Sequence, residues 1–137
     1  MDRAFQYPSH IQEIPQIRKD LEFLKQEWAI PESEIKQILV IIEEIFSNIV
    51  RYAFEDKKEH AIDIRLACTE NQIGIEIIDD GIAFNPLDYH LEPQSDPATS
   101  DAGGMGLTLI RAFSSKIFYQ RISGRNHLKI TKKVNKK

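Results

Sequence analysis

The sequence predicts an α+β fold: a two-layer sandwich in which a mixed, mostly antiparallel sheet carries helices on one face. Three observations predict it. Short segments alternate apolar and polar residues, the period of a half-buried strand. Two long segments instead repeat apolar residues every three or four positions, the period of an amphipathic helix. The order is strand, two helices, two strands, a long loop, a helix and two strands, so hairpins and helices are segregated along the chain.

The elements follow in turn. Arg3–Tyr7 is short and alternating, an edge strand that Pro8 ends. Ser9 is the candidate N-cap of a first helix running to about Ala29, with Pro15 in its first turns. Ile11, Ile14, Ile17, Leu21 and Leu24 lie on its inner side. Pro31 opens a second helix that should reach Ala53, with Ile35, Ile38, Ile42, Ile45, Phe46, Ile49 and Ala53 on one side. Glu55–His60 is a polar turn. Ala61–Cys68 and Gln72–Asp79 alternate around a turn at Glu70–Asn71. No period survives from Gly81 to Gly104, and a loop of that length suits a functional lid. Met105–Ser115 is predicted helical, with Leu107, Ile110 and Phe113 inward. Lys116–Ile122 and His127–Val134 form a closing hairpin across Ser123-Gly124-Arg125-Asn126.

Composition narrows the function classes. The 137 residues fit one domain, spanning 1–137. A formal net charge of −3 argues against direct nucleic-acid binding. The one basic cluster, Lys132, Lys133, Lys136 and Lys137, is expected to be a solvated tail. Cys68 has no second cysteine to pair with, which points to a reducing compartment, and its place in an alternating strand points to core packing. No apolar run is long enough to cross a membrane, and MDRAFQYPSH lacks the apolar stretch of a signal peptide. A cytoplasmic protein is expected.

Three groups of residues could carry chemistry. Glu44, Asn48 and Arg51 lie on the polar side of the second helix, with Tyr52 one turn beyond Asn48. A carboxylate and an amide at i and i+4 can reach one ligand. An amide oxygen suits a hard cation such as Mg²⁺, and the carboxylate could activate a hydroxyl. Alone, such a pair is as readily a solvated polar face. Asp79 is more telling. Ile73, Ile75 and Ile77 share one face of their strand, and Asp79 continues that parity, so a carboxylate stands where a buried apolar residue was due. A buried charge needs a partner, and the exocyclic amine of adenine is a suitable donor. Gly81 would let a flat ring approach the backbone. The third group is Gly103-Gly104-Met105-Gly106-Leu107, directly before a helix. Exposed N–H groups and the positive end of the helix dipole favour a phosphate there.

Taken together, E-x-x-x-N on a helix, D-x-G after a strand and G-G-x-G-L into a helix resemble the Bergerat-fold, histidine kinase-like ATPases. That superfamily is shared by gyrase, heat-shock chaperones, mismatch-repair ATPases and histidine kinases. The chain is most similar to its small stand-alone branch, the anti-sigma factor serine/threonine kinases. Glu44-Ile45-Phe46-Ser47-Asn48-Ile49-Val50-Arg51-Tyr52-Ala53 resembles the N box. Asp79-Asp80-Gly81-Ile82-Ala83-Phe84-Asn85-Pro86 resembles D-x-G-x-x-F-D-P. Gly103-Gly104-Met105-Gly106-Leu107-Thr108-Leu109-Ile110-Arg111 resembles G-G-x-G-L-x-L-I/V-R. The likeness runs from about residue 5 to 134. Tyr52 stands where the family often has His, and Ala83 replaces a second glycine. The family's threonine near adenine has no assigned counterpart, although Lys129 and Thr131 fall near its place.

The resemblance implies ATP and Mg²⁺ as cofactors, with Asn48 as metal ligand and Glu44 as general base. It implies that Asp79 accepts from the adenine amine beside Gly81, Ala83 and Phe84. Arg51 and Tyr52 would complete the helix side of the pocket. Gly103, Gly104, Met105, Gly106, Leu107 and Thr108 would face the phosphates. It further implies phosphoryl transfer to a serine of a STAS-domain antagonist, a competing contact with a sigma factor, and a homodimer. No phospho-acceptor histidine suits the first helix, and His10 is expected at the surface. Two alternatives stay open: a non-catalytic regulator that sequesters a partner, and a kinase of a STAS protein in a pathway without a sigma factor.

Overall fold

The computed structural model describes residues 1–85 and 108–134. Five strands form one sheet: β1 (Asp2–Pro8), β2 (Ala61–Cys68), β3 (Gln72–Asp79), β4 (Lys116–Ile122) and β5 (Arg125–Lys133). Their spatial order is β1-β2-β3-β5-β4. Two long helices, α1 (Ile14–Trp28) and α2 (Glu32–Tyr52), lie between β1 and β2. The predicted two-layer α+β architecture is what forms. All four described pairings are antiparallel, so no mixed component is present among them. The reason is in the connections. β2–β3 and β4–β5 are direct hairpins, and two successive helices return the chain antiparallel from β1 to β2.

Several local expectations shift by a turn. Ser9 does not cap a helix. Its N–H donates to the His60 carbonyl at 2.9 Å, and its Oγ accepts from the His60 N–H at 2.9 Å. Ser9 thus fastens the end of β1 to the approach of β2. A 3₁₀ turn (Ile11–Glu13) precedes α1, and Pro15 sits in the first turn of the helix, where its missing N–H costs nothing. Ile11, set in that turn, is exposed. α1 closes with Ala29 in the left-handed region (φ 52°) and the Ile30 N–H reaching back to the Lys25 carbonyl at 3.0 Å. The closing hairpin turns on two residues, Ser123 (φ 50°) and Gly124 (φ 76°). Both φ values are positive, as a type I′ turn requires, so Arg125 and Asn126 belong to β5 and not to the turn.

α2 is the spine of the domain. Ile35, Ile38, Ile41, Ile42, Ile45, Phe46 and Ile49 are all fully buried. The stripe is broader than a surface helix needs, because α2 packs on the sheet and on α1. The inner face of the sheet supplies Ile62, Ile64, Leu66, Cys68, Ile73, Ile75, Ile77, Leu128 and Ile130 to the same core. Residues 108–113 are helical, and Ile110 reaches this core.

Lys132 corrects the expectation of a solvated basic tail. It is 5% exposed on the inner face of β5, with its Nζ 2.7 Å from Glu34 Oε2. Lys133 is exposed, and Lys136 and Lys137 lie outside the described residues. Removing one member of a buried pair strands the other. Lys132→Ala should therefore lower unfolding free energy by about 2–3 kcal/mol in urea titrations. Joint replacement by Lys132→Met and Glu34→Leu should recover most of that loss.

Candidate active site

The site grows from the end of β3. Asp79 keeps the inward parity of Ile73, Ile75 and Ile77 and is 2% exposed. Its Oδ1 accepts the Gly81 N–H at 2.8 Å and the Asn126 Nδ2–H at 2.9 Å. Among the described residues no hydrogen bond reaches Oδ2. Burial raises the Asp79 pKa above the ordinary carboxylate value. The bonds from Asn126 and Gly81 and the Arg121 charge oppose the rise, while neighbouring Asp80 adds to it. Among the described residues, one oxygen is thus held by two hydrogen bonds and the other by none, on a side chain that is 2% exposed.

Gly81 lies where the chain leaves β3 and meets the end of α2. A Cβ built on it would stand 2.3 Å from the Ala53 carbonyl oxygen and 2.8 Å from the Ala53 Cβ. The Ile82 N–H donates to that carbonyl at 2.9 Å. No side chain fits there, so Gly81 is what lets the loop dock on the C-terminus of α2. Tyr52 and Phe84 extend this contact, with ring centroids 6.0 Å apart. Ala83 is exposed beside them.

The polar side of α2 carries the other residues singled out from the sequence. Asn48 is 7% exposed, and no hydrogen bond to its side chain forms among the described residues. Glu44, one turn earlier, is half-buried and has no ion pair within 4 Å among them. Burial raises the Glu44 pKa, partly offset by Arg51, with Glu43 adding a smaller rise. A carboxylate with raised proton affinity and no cation on it can take a proton from a hydroxyl. Arg51 is exposed. Thr108 is the first described residue of the later helix. Gly103, Gly104, Met105, Gly106 and Leu107, like the expected lid, fall outside the described residues.

The residue that sequence reasoning missed is Asn126. It is 2% exposed and directly opposite Asp79 in the β3–β5 register. Its Nδ2 donates to Asp79 Oδ1 and, at 2.7 Å, to the Ile82 carbonyl. Its Oδ1 accepts from the Phe84 N–H at 3.1 Å, from Arg121 at 3.0 Å and from the Tyr119 hydroxyl. Lys129 and Thr131 pair instead with Glu76 and Gly74, on the sheet face turned away from the helices. Neither reaches the neighbourhood of Asp79. The missed signal was parity: Asn126, Leu128 and Ile130 alternate once the strand is started at Arg125.

The comparisons with known proteins bear on the family and the fold. Residues 7–132 match the family model of the histidine kinase-like ATPase domain. The serine/threonine-protein kinase BtrW of Bordetella bronchiseptica is 37% identical over 91 residues, which is 65% of this chain and 63% of that protein. The anti-sigma F factor of Caldanaerobacter subterraneus is 27% identical over 105 residues, covering 75% of this chain and 73% of the relative. That of Clostridium beijerinckii is 26% identical, and this chain spans 57% of its length. Among solved structures, the RsbU and RsbW domains of a Mycobacterium tuberculosis protein superpose with a TM-score of 0.67 at 18% identity, over 98% of this chain and 32% of the other. The SiaB–SiaC complex of Pseudomonas aeruginosa gives 0.60 at 16%, over 96% and 89%. The family match over residues 7–132 makes this an ATPase-type domain, and the antiparallel sheet with helices on one face is the fold of its solved neighbours. The chain belongs to the histidine kinase-like ATPase domain family.

The Asp79 environment has a thermodynamic signature. Its folded pKa is raised, so the native state holds its proton more tightly than the unfolded chain does. Stability is then greatest below the unfolded carboxylate pKa and falls as pH rises through the folded one. Asp79→Asn keeps both bonds to Oδ1 and removes the buried charge. The variant should be at least as stable as the parent at neutral pH, and the gap should close as pH falls toward about 4. Chemical denaturation across that range checks it.

Proposed function

We propose that this single domain binds Mg·ATP and transfers a phosphoryl group to a serine or threonine of a separate STAS-type antagonist protein. In this proposal it acts in the cytoplasm as an anti-sigma factor kinase, pairs as a homodimer, and switches between the antagonist and a sigma factor. The carrying observation is the buried Asp79, whose Oδ1 takes two hydrogen bonds while Oδ2 takes none among the described residues. That arrangement suits the adenine amine as its missing donor.

The α2 residues fit the rest of the ligand. The Asn48 amide would hold Mg²⁺, which in such sites is bound by few protein ligands and by phosphate oxygens. Magnesium would supply charge neutralisation across the phosphates. Glu44 would accept the proton of the attacking hydroxyl, a role its raised pKa and lack of an ion pair favour. Phosphoryl transfer asks chiefly for positioning and charge stabilisation, and these residues offer both. A purely sequestering regulator would have no use for a base at Glu44.

No helix among the described residues is long and apolar enough to cross a membrane. Relatives carry both a kinase name and an anti-sigma name, and this supports the combined assignment. A kinase whose STAS partner governs something other than a sigma factor is the second reading. It is favoured by the higher identity, 37% against 26% and 27%, to the relative named simply as a kinase.

The test is phosphoryl transfer from labelled ATP to candidate STAS proteins of the same genome. Glu44→Ala should keep ATP binding and lose transfer by at least about a hundredfold, the usual worth of a positioned base. Asn48→Ala should lose Mg-dependent binding itself. Equal transfer by Glu44→Ala and the parent would refute the base assignment.

A further inference from the structure

We propose that Asn126 is a positioning residue for the nucleotide site, holding the Asp79 carboxylate in one orientation and residues 82–84 against β5. It rests on the nucleotide assignment above and adds to it a residue that acts through Asp79 without touching the ligand. Five contacts determine its amide. Two acceptors, Asp79 Oδ1 and the Ile82 carbonyl, take both Nδ2 hydrogens. Three donors, from Phe84, Tyr119 and Arg121, converge on Oδ1. A flipped amide would face donors with donors and acceptors with acceptors, so the orientation is fixed. The Nδ2–H therefore always points at Asp79 Oδ1.

This has two consequences for a ligand. The carboxylate cannot rotate freely, so Oδ2 is presented in one direction. The segment that follows β3 is also clamped at two points, the Ile82 carbonyl and the Phe84 N–H. Both walls of the adenine side are thereby tied to one buried side chain, and Arg121 adds a bond to the Gly81 carbonyl at 2.8 Å.

Among the described residues two charges act on Asp79. Asp80 on its own segment and Arg121 on β4 act on it, and Tyr119 on β4 joins the same hub through Asn126. Asp80 is itself paired with His60 at 3.0 Å. β2 places Asp63 opposite Ile78, on the other face of the sheet. α2 presents the Ala53 backbone and methyl to the adjoining Gly81.

Asn126→Asp separates positioning from packing, because it keeps the side chain's shape while replacing the Nδ2 donor to Asp79 and Ile82 by an ionisable oxygen. Two carboxyl groups at the distance now seen between Asn126 and Asp79 would share one proton. At low pH the shared proton restores a donor toward Asp79; at high pH two anions face each other. In the parent, ATP affinity should hold or rise with pH. In Asn126→Asp it should fall by at least about tenfold between pH 6 and pH 8. Asn126→Ala removes the donor altogether, so Asp79 holds its proton to higher pH and affinity should be lost mainly on the acid side.

Calorimetric titration of folded protein with Mg·ATP across this range reads both slopes, with circular dichroism as the check on folding. Opposite pH trends in the two variants support the proposal, and either variant alone carries it if the other fails to fold. Variants that weaken binding equally at every pH, in parallel with a parent that binds, overturn it and leave the nucleotide assignment standing. A parent that binds no ATP at any pH overturns that assignment, and this inference with it.

Discussion

The proposed site depends on one buried carboxylate, of which only one oxygen is hydrogen-bonded among the described residues. An ion of this kind costs several kcal/mol to bury unless it is paired, and Asp79 has hydrogen bonds but no cation directly on it. The fold offsets part of the cost by engaging Oδ1 twice, and under the proposed function a ligand would engage Oδ2. The raised pKa records the same tension in protonation terms. A domain selected for stability alone would place isoleucine there, as it does at 73, 75 and 77.

The surrounding architecture explains how the site is assembled from distant segments. β3 is the central strand, so its end is flanked by β2 and β5 and overlaid by α2. The glycine at 81 allows the chain to turn against the end of α2 with no side chain between them. The polar side of the same helix carries Asn48 and Glu44, four and eight residues before its last residue, Tyr52. Asn126 closes the assembly from β5. β3 thus carries Asp79, β5 carries Asn126 and α2 carries Asn48 and Glu44, on elements whose buried side chains are mostly isoleucine.

Much of this was legible in the sequence. β2 and β3 begin and end where alternation predicts, because hairpin strands with one buried face carry a strict period of two. Asp79 was found by parity alone. The misses share a physical cause, which is that tertiary pairing overrode a local signal. Ser9 has the chemistry of a helix cap, yet the neighbouring strand offered it a better partner in His60. Lys132 looks like part of a charged tail, yet β5 carries it inward to Glu34. Asn126 looks like a turn residue after Gly124, and only strand register shows it facing Asp79. No local pattern encodes register between strands separated by 47 residues.

The most direct measurement compares ATP with inosine triphosphate, which replaces the adenine amine by a carbonyl. Both carry the same sugar and phosphates, so any difference in affinity belongs to the base edge facing Asp79. If the free carboxylate oxygen is the adenine acceptor, ATP should bind more tightly by on the order of a hundredfold, the scale of a lost hydrogen bond to a charged group. Equal affinity for the two nucleotides would contradict the account.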